Sequence, residues 1–276
     1  MTRSWKGIVA AVLLGAGPLS AQTPGTSAQK TFYTGGDGAV AAGTLVLSAG
    51  LSLFDARLAR FFQDSMRLHV RVGRKVDNLF THINETTLTV GGLAVYGVAR
   101  LAGQHTVADV AFHMAESVAA ASLTSQLIRG PLGRTRPRDA DKPFENQYDF
   151  HFMTGFTHFA QRSFPSIHSS SGFAAASALV AEVNRRDHGA VWLVGVPAYA
   201  MALTPGLSRM YLGQHWASDI FAGAVMGTFY GWRIVNYSHE HATTPVDRVF
   251  LGARTQTRSG PAHVGGVVPI GWTLTF

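Results

Sequence analysis

The 276-residue chain has no cysteine, and that absence alone removes several function classes. It cannot build a thiolate nucleophile, an iron–sulfur cluster, a cysteine-ligated zinc site or a disulfide framework. Charge is scarce as well: 14% of residues are charged against 46% hydrophobic, an apolar balance for a freely soluble protein. Mean hydropathy is nevertheless only +0.12, low for a chain made mostly of membrane spans. Long apolar runs are also missing. Beyond the N-terminus the longest stretch without a charged residue is Gly189 to Ser208, and Pro197 and Pro205 interrupt it. Gly38 to Phe54 is uncharged but marginal in length, and Glu85, Arg100 and Glu116 break the segments that follow. A membrane helix takes about 20 predominantly apolar residues. These segments are therefore expected to be buried helices of a soluble bundle, with membrane association as the alternative.

What is present begins with an export pattern. Arg3 and Lys6 precede the apolar stretch Gly7 to Leu19, and Leu19-Ser20-Ala21 offers a small-residue cleavage site. Residues 1–21 read as a signal peptide, which puts the mature protein in the periplasm or outside the cell. Residues 22–38, rich in Gly, Thr and Ser, read as a linker. From residue 39 to about 240, apolar segments alternate with short polar connections. The helices predicted are 39–62, 76–103, 106–128, 168–185, 191–203 and 215–235, several of them dominated by alanine. The fold class is all-α: a single helical bundle of about six core helices. The tail, 241–276, closes on an alternating segment from Val268 to Phe276 that reads as a short strand or hairpin.

Net charge is +7, and its placement says more than its size. Four arginines, Arg129, Arg134, Arg136 and Arg138, fall within ten residues. The excess could serve nucleic acid, an anionic membrane surface or an anionic small substrate; the cluster by itself reads as a solvated basic loop, and no nucleic-acid partner is expected. Three separated clusters then carry chemistry. In the first, Arg129 and Arg136-Pro137 present guanidinium groups that stabilise the charge spread over a phosphoryl group in transfer, without requiring a metal. In the second, Pro165-Ser166-Ile167-His168 opens a helix. Backbone N–H groups near Ser166 make an anion site there, and His168 is placed to protonate a leaving oxygen. The third is Ser208-Arg209, then five residues, His215, three residues and Asp219. Four apart at a helix start, His215 and Asp219 share a face. A carboxylate on one ring nitrogen leaves the other free to attack. Arg209 adds a fork that matches phosphate oxygens. Between the first two clusters lie Phe144, Tyr148, Phe150, Phe152, Phe156 and Phe159, either an apolar wall for a leaving group or pins holding a loop to the bundle.

Taken together the clusters resemble the type 2 phosphatidic acid phosphatase superfamily. Its pattern is Lys-x6-Arg-Pro, Pro-Ser-Gly-His, then Ser-Arg-x5-His-x3-Asp, and the last appears here intact. The resemblance spans roughly residues 106–235. It implies that Arg129, Arg136 and Arg209 hold phosphate with Ser166 assisting, that His215 is the nucleophile oriented by Asp219, and that His168 is the acid. It further implies a phosphohistidine intermediate, no metal or cofactor, and a phosphomonoester or lipid-phosphate substrate. Possible peripheral contact with a membrane follows from the substrate. Vanadate is expected as an inhibitor or, in the alternative of a vanadate-dependent haloperoxidase, as the cofactor.

Two positions depart from the pattern. Arg129 replaces the family's Lys, keeping the charge with a longer planar head. Ile167 replaces its Gly. If the helix start needs only ordinary helical angles, Ile167 is tolerated and narrows the pocket; if it needs a positive φ, catalysis weakens and a phosphate-binding domain remains.

Overall fold

Small residues decide how closely these helices approach, and the alanine-rich segments pack almost backbone to backbone. The computed structural model describes residues 31–68, 83–241 and 244–251. Within them lie eight α-helices: α1 (Gly35–Ser52), α2 (Asp55–Leu68), α3 (Glu85–Leu101), α4 (His105–Leu132), α5 (Ile167–Arg186), α6 (Val191–Tyr211), α7 (Ala217–Glu240) and α8 (Pro245–Phe250). Three short 3-10 turns and one isolated bridge, Arg134 with Phe150, complete the regular structure of the described residues. The all-α class is met. The signal peptide expected at 1–21 and the strand expected at 268–276 lie outside the described residues.

α5 runs through the middle, against α4, α6 and α7. Its buried face is nearly all serine and alanine, and the core it shares holds Val118, Ala121, Ala174, Ala175, Tyr230 and Ile234. The α5–α7 contact is set by Gly223, Gly227 and Gly231, one on each successive turn of α7. A Cβ at Gly223 would lie 2.4 Å from the Ser166 carbonyl oxygen, at Gly227 2.2 Å from that of Ser170, and at Gly231 2.5 Å from Ser177 Cβ. Real Cβ atoms essentially never come that near another heavy atom, so these three positions exclude any side chain.

Several boundaries differ from expectation, each with a reason. α1 starts at Gly35, inside the presumed linker, because Thr34 and Asp37 form a capping box there. The segment expected as one helix over 39–62 breaks after Ser52 and turns by 58° into α2. α6 continues to Tyr211 through both Pro197 and Pro205; packing of Gly195, Ala202 and Gly206 against the bundle overrides the lost ladder hydrogen bonds.

The expectation of buried core helices requires correction for α6. It is the one described helix long and apolar enough by itself to cross a membrane, yet only 22% of its apolar window is buried. Trp192 and Leu193 are about four-fifths exposed, and Val196 and Met201 are exposed too. α1 (Leu45, Val46, Leu47) and α3 (Val90, Val98, Leu101) likewise turn large apolar side chains outward. An apolar surface this extensive marks a face that meets something other than water.

Candidate active site

Three helix ends converge to build the site. Arg129 is in the last turn of α4, which Gly133 terminates in the left-handed conformation at φ 61°. Only glycine fits there, since a Cβ would lie 1.7 Å from the His151 carbonyl oxygen. The chain leaving that cap carries Arg134 and Arg136 back across the bundle. Arg209 is in the last turn of α6. His215 follows in the connection to α7, two residues before that helix begins rather than on it. At the start of α5, Ser166 is the N-cap and accepts from the Ser169 N–H.

Ile167 is the first helical residue of α5. Among described non-glycine residues only Phe144 and Met153 have positive φ, so this position asks for ordinary helical angles. Ile167 is accommodated by the backbone and forms part of the wall of the hollow.

That hollow has a volume of about 290 Å³. Five of the seven residues singled out in the sequence line it: Arg129, Arg136, Arg209, His168 and His215. The two imidazole rings are 6.4 Å apart between centroids. Glu85, Gln126, Phe159, Arg162 and Gln214 complete the lining, and Phe159 is the only one of the six aromatics noted in the sequence to reach it. Ser166 and Asp219 lie behind the wall. The Ser166 hydroxyl is occupied as a helix cap, while its N–H donates to the Asp219 carbonyl oxygen at 3.0 Å. It does not point a donor into the hollow.

Asp219 also acts less directly than its spacing implied. His215 Nδ1 donates to the Ser163 carbonyl oxygen at 2.8 Å and lies 3.8 Å from Asp219 Oδ2. A carbonyl only accepts, so Nδ1 carries the proton and the lone pair of the neutral ring is on Nε2. Asp219 is held by Ser163 Oγ at 2.5 Å, the Trp216 N–H at 2.8 Å and Arg134 Nη1 at 2.5 Å. Ser163 thus connects the two, carbonyl to histidine and hydroxyl to carboxylate. Behind this, Arg134 Nη2 donates to Asp55 Oδ2 at 2.8 Å, and Asp55 accepts the Ser218 N–H at 2.9 Å. Every member of this group is buried.

The electrostatics follow from three guanidinium groups in one desolvated space. Burial pushes His215 down to about 4, against the pull of Asp219 and with help from Arg136 and Arg129. Its ring is therefore neutral at ordinary pH. His168 is pushed down to about 2, first by burial and then by Arg209. Arg209 Nη2 donates to His168 Nε2 at 2.8 Å, so that nitrogen holds no proton, and His168 Nδ1 is buried with no hydrogen-bond partner among the described residues. Without an anion in place, His168 is not a proton donor. Burial, then Arg129, brings Arg136 down to about 9, still cationic at neutral pH. Arg136 stacks 3.8 Å over the Phe159 ring and donates to Gln214 Oε1, while Arg129 donates to the Arg162 carbonyl oxygen. Glu85 Oε2 is buried at the same hollow with no hydrogen-bond partner among the described residues.

Sequence reasoning missed Asp55, Ser163 and Gln214. Arg134 carried a signal, since it belongs to the arginine cluster. Asp55 had only its position after an apolar run.

Residues 110–242 match the PAP2 superfamily. A lipid A 4'-phosphatase of Bacteroides thetaiotaomicron is 28% identical over 118 residues, covering 43% of this chain and 48% of that protein. A lipid A 1-phosphatase of Porphyromonas gingivalis is 36% identical over 72 residues, 26% of this chain and 15% of that protein. The chain thus spans about half, or less, of the length of these relatives. The crystal structure of a transmembrane PAP2-type phosphatidylglycerolphosphate phosphatase from Bacillus subtilis aligns with a TM-score of 0.34 at 17% identity, over 68% of this chain and 93% of that one.

Proposed function

We propose that this chain, whose residues 110–242 match the PAP2 superfamily, is a phosphatase acting on a lipid-borne phosphomonoester, with His215 as the nucleophile. One observation carries the reading: both imidazoles and three arginines open on a single hollow, with the His215 lone pair on Nε2. In the proposed reaction Nε2 attacks phosphorus, and the N–P bond forms as the bond to the lipid oxygen breaks. His168, which takes up a proton when the anionic phosphate enters, gives it to the departing oxygen. Water then attacks phosphorus while passing a proton back to His168, the N–P bond breaks, and inorganic phosphate leaves with the His215 imidazole restored. The guanidinium groups of Arg129, Arg136 and Arg209 supply the positive charge that a metal supplies elsewhere.

The lipid side of the proposal rests on the outward apolar faces of α1, α3 and α6. We infer that the domain is seated in a bilayer through these faces, in place of the soluble periplasmic form. Both curated relatives are named for lipid substrates, in keeping with that reading.

The test is hydrolysis of an aryl phosphate and a panel of phosphorylated lipids by the purified full chain. Turnover is expected to persist in a chelator under conditions where circular dichroism shows the helices intact. Acid-labile phosphate should be trapped on the protein and vanish in His215→Asn. Full turnover in His215→Asn would refute the assignment.

A further inference from the structure

A second cluster of titratable side chains lies at the other end of the bundle and takes no part in the chemistry above. His113 of α4, Glu182 of α5 and His239 of α7 each offer one ligand atom, all within 4.8 Å of one another. Fourteen residues of α5 separate His168 from Glu182, about 21 Å along the axis. The cluster is therefore remote from the phosphate hollow. We propose that it is a divalent-metal site, best suited to zinc, which ties the far ends of α4, α5 and α7 together.

The argument turns on which atoms carry protons. His113 Nε2 is 2.9 Å from Ser238 Oγ, and Ser238 in turn donates to Asp247 Oδ2. Asp247 Oδ1 lies 3.8 Å from the same nitrogen. A carboxylate reached through a hydroxyl makes Nε2 the N–H of His113 and turns Nδ1 toward Glu182 Oε1. His239 Nε2 approaches the same carboxylate, 3.0 Å from Oε1 and 3.1 Å from Oε2. The two rings stand 5.6 Å apart at 67°. A neutral His239 ring donates to the carboxylate from Nε2, but the Nδ1 lone pair of His113 faces Glu182 and is matched either by a proton or by a divalent ion.

The proton makes His113 an imidazolium beside Glu182, which already pairs with Arg186. The divalent ion leaves both rings neutral. It uses two nitrogens and one carboxylate oxygen, a donor set that zinc favours. Zinc bonds of about 2.0–2.1 Å put tetrahedral ligand atoms roughly 3.3 Å apart, close to the spacing His239 keeps from Glu182. His113 and Glu182 are fully buried, and His239 is 20% exposed, which opens an entry path and a place for water as fourth ligand. Nearby Glu116 of α4 keeps a buried carboxylate oxygen with no hydrogen-bond partner among the described residues. It belongs with His113 and Asp247 to a second, overlapping triad of ligand atoms.

The experiment uses the full chain, purified in detergent, stripped with a chelator and dialysed. Zinc is added, bound metal is counted by atomic emission, and thermal unfolding is followed with and without it. One zinc per chain is expected, with Tm raised by roughly 5–10 °C at a hundredfold excess over Kd. Cobalt in place of zinc should give the intense visible bands of a four-coordinate site, a readout that needs no variant. His239→Ala, chosen because it is partly exposed, should lose stoichiometric binding and the Tm shift while keeping wild-type helicity. Substoichiometric zinc in the wild type, or undiminished binding in His239→Ala, overturns the proposal. If His239→Ala does not fold, the cobalt spectrum of the wild type decides. Metal content is independent of turnover, so the result stands whether or not the chain proves to be a phosphatase.

Discussion

Replacing Arg134 by Met should do more damage than replacing any arginine that lines the hollow. Arg134 donates to Asp219 Oδ1 at 2.5 Å and to Asp55 Oδ2 at 2.8 Å, and all three side chains are buried. Methionine fills much of the volume but leaves two carboxylates facing one another without a cation. Removing one partner of a buried ion pair costs about 3–5 kcal/mol, because the remaining charge stays desolvated. For a chain of this size that corresponds to a Tm lowered by roughly 6–20 °C. Thermal melts of Arg134→Met, Asp55→Asn and the double variant form a cycle. The double variant should recover part of the loss, since it removes the orphaned charge along with its partner. Turnover should fall as well, because Asp219 loses the anchor that holds it beside Ser163 and His215. A melt within about 1 kcal/mol of wild type, or strictly additive losses, would refute this account of the network.

Four further outcomes are expected. Since His215 is lowered to about 4 and His168 to about 2, both rings are neutral at pH 7; phosphate or vanadate, bringing negative charge beside His168, should raise its proton affinity and draw in a proton. Calorimetry of vanadate binding in buffers of different ionisation enthalpy measures this, and zero uptake between pH 5 and 7 would count against His168 as the acid. The rate should also fall as His215 becomes protonated below about pH 4, and an acid limb centred near 6.5 would show that its burial has been misjudged. Vanadate should compete with substrate, and Arg136→Gln should weaken its inhibition constant at least tenfold, about 1.4 kcal/mol for one charge-assisted contact. Gly227→Ala places a methyl group 2.2 Å from the Ser170 carbonyl oxygen, so a loss of about 1–3 kcal/mol is expected in thermal melts.

Much of the site was legible because its residues lie at fixed spacings within short segments. Arg129, Arg136, Arg209, His168 and His215 meet around one hollow, and Ile167 proves compatible with an ordinary helix start. The support behind them was harder to see. Asp55 meets Arg134 and Ser218 across 79 and 163 residues of chain, and no local pattern announces such a meeting. The four-residue interval between His215 and Asp219 led to an expected direct hydrogen bond. His215 instead precedes the helix, and the Ser163 carbonyl takes its N–H. The exposure of α6 was not legible either. Periodicity shows which residues are apolar, but not whether protein, lipid or water covers them.

One backbone hydrogen bond has a consequence for how the site moves. The peptide N–H of Ser166 donates to the carbonyl of Asp219, stapling the origin of the helix that bears His168 to the origin of the one that follows His215. Thermal breathing that rocks either helix carries both imidazoles along as a single jaw. Their span is then expected to vary less than their distance to Arg129 and Arg136, which hang from another helix end and the chain beyond it.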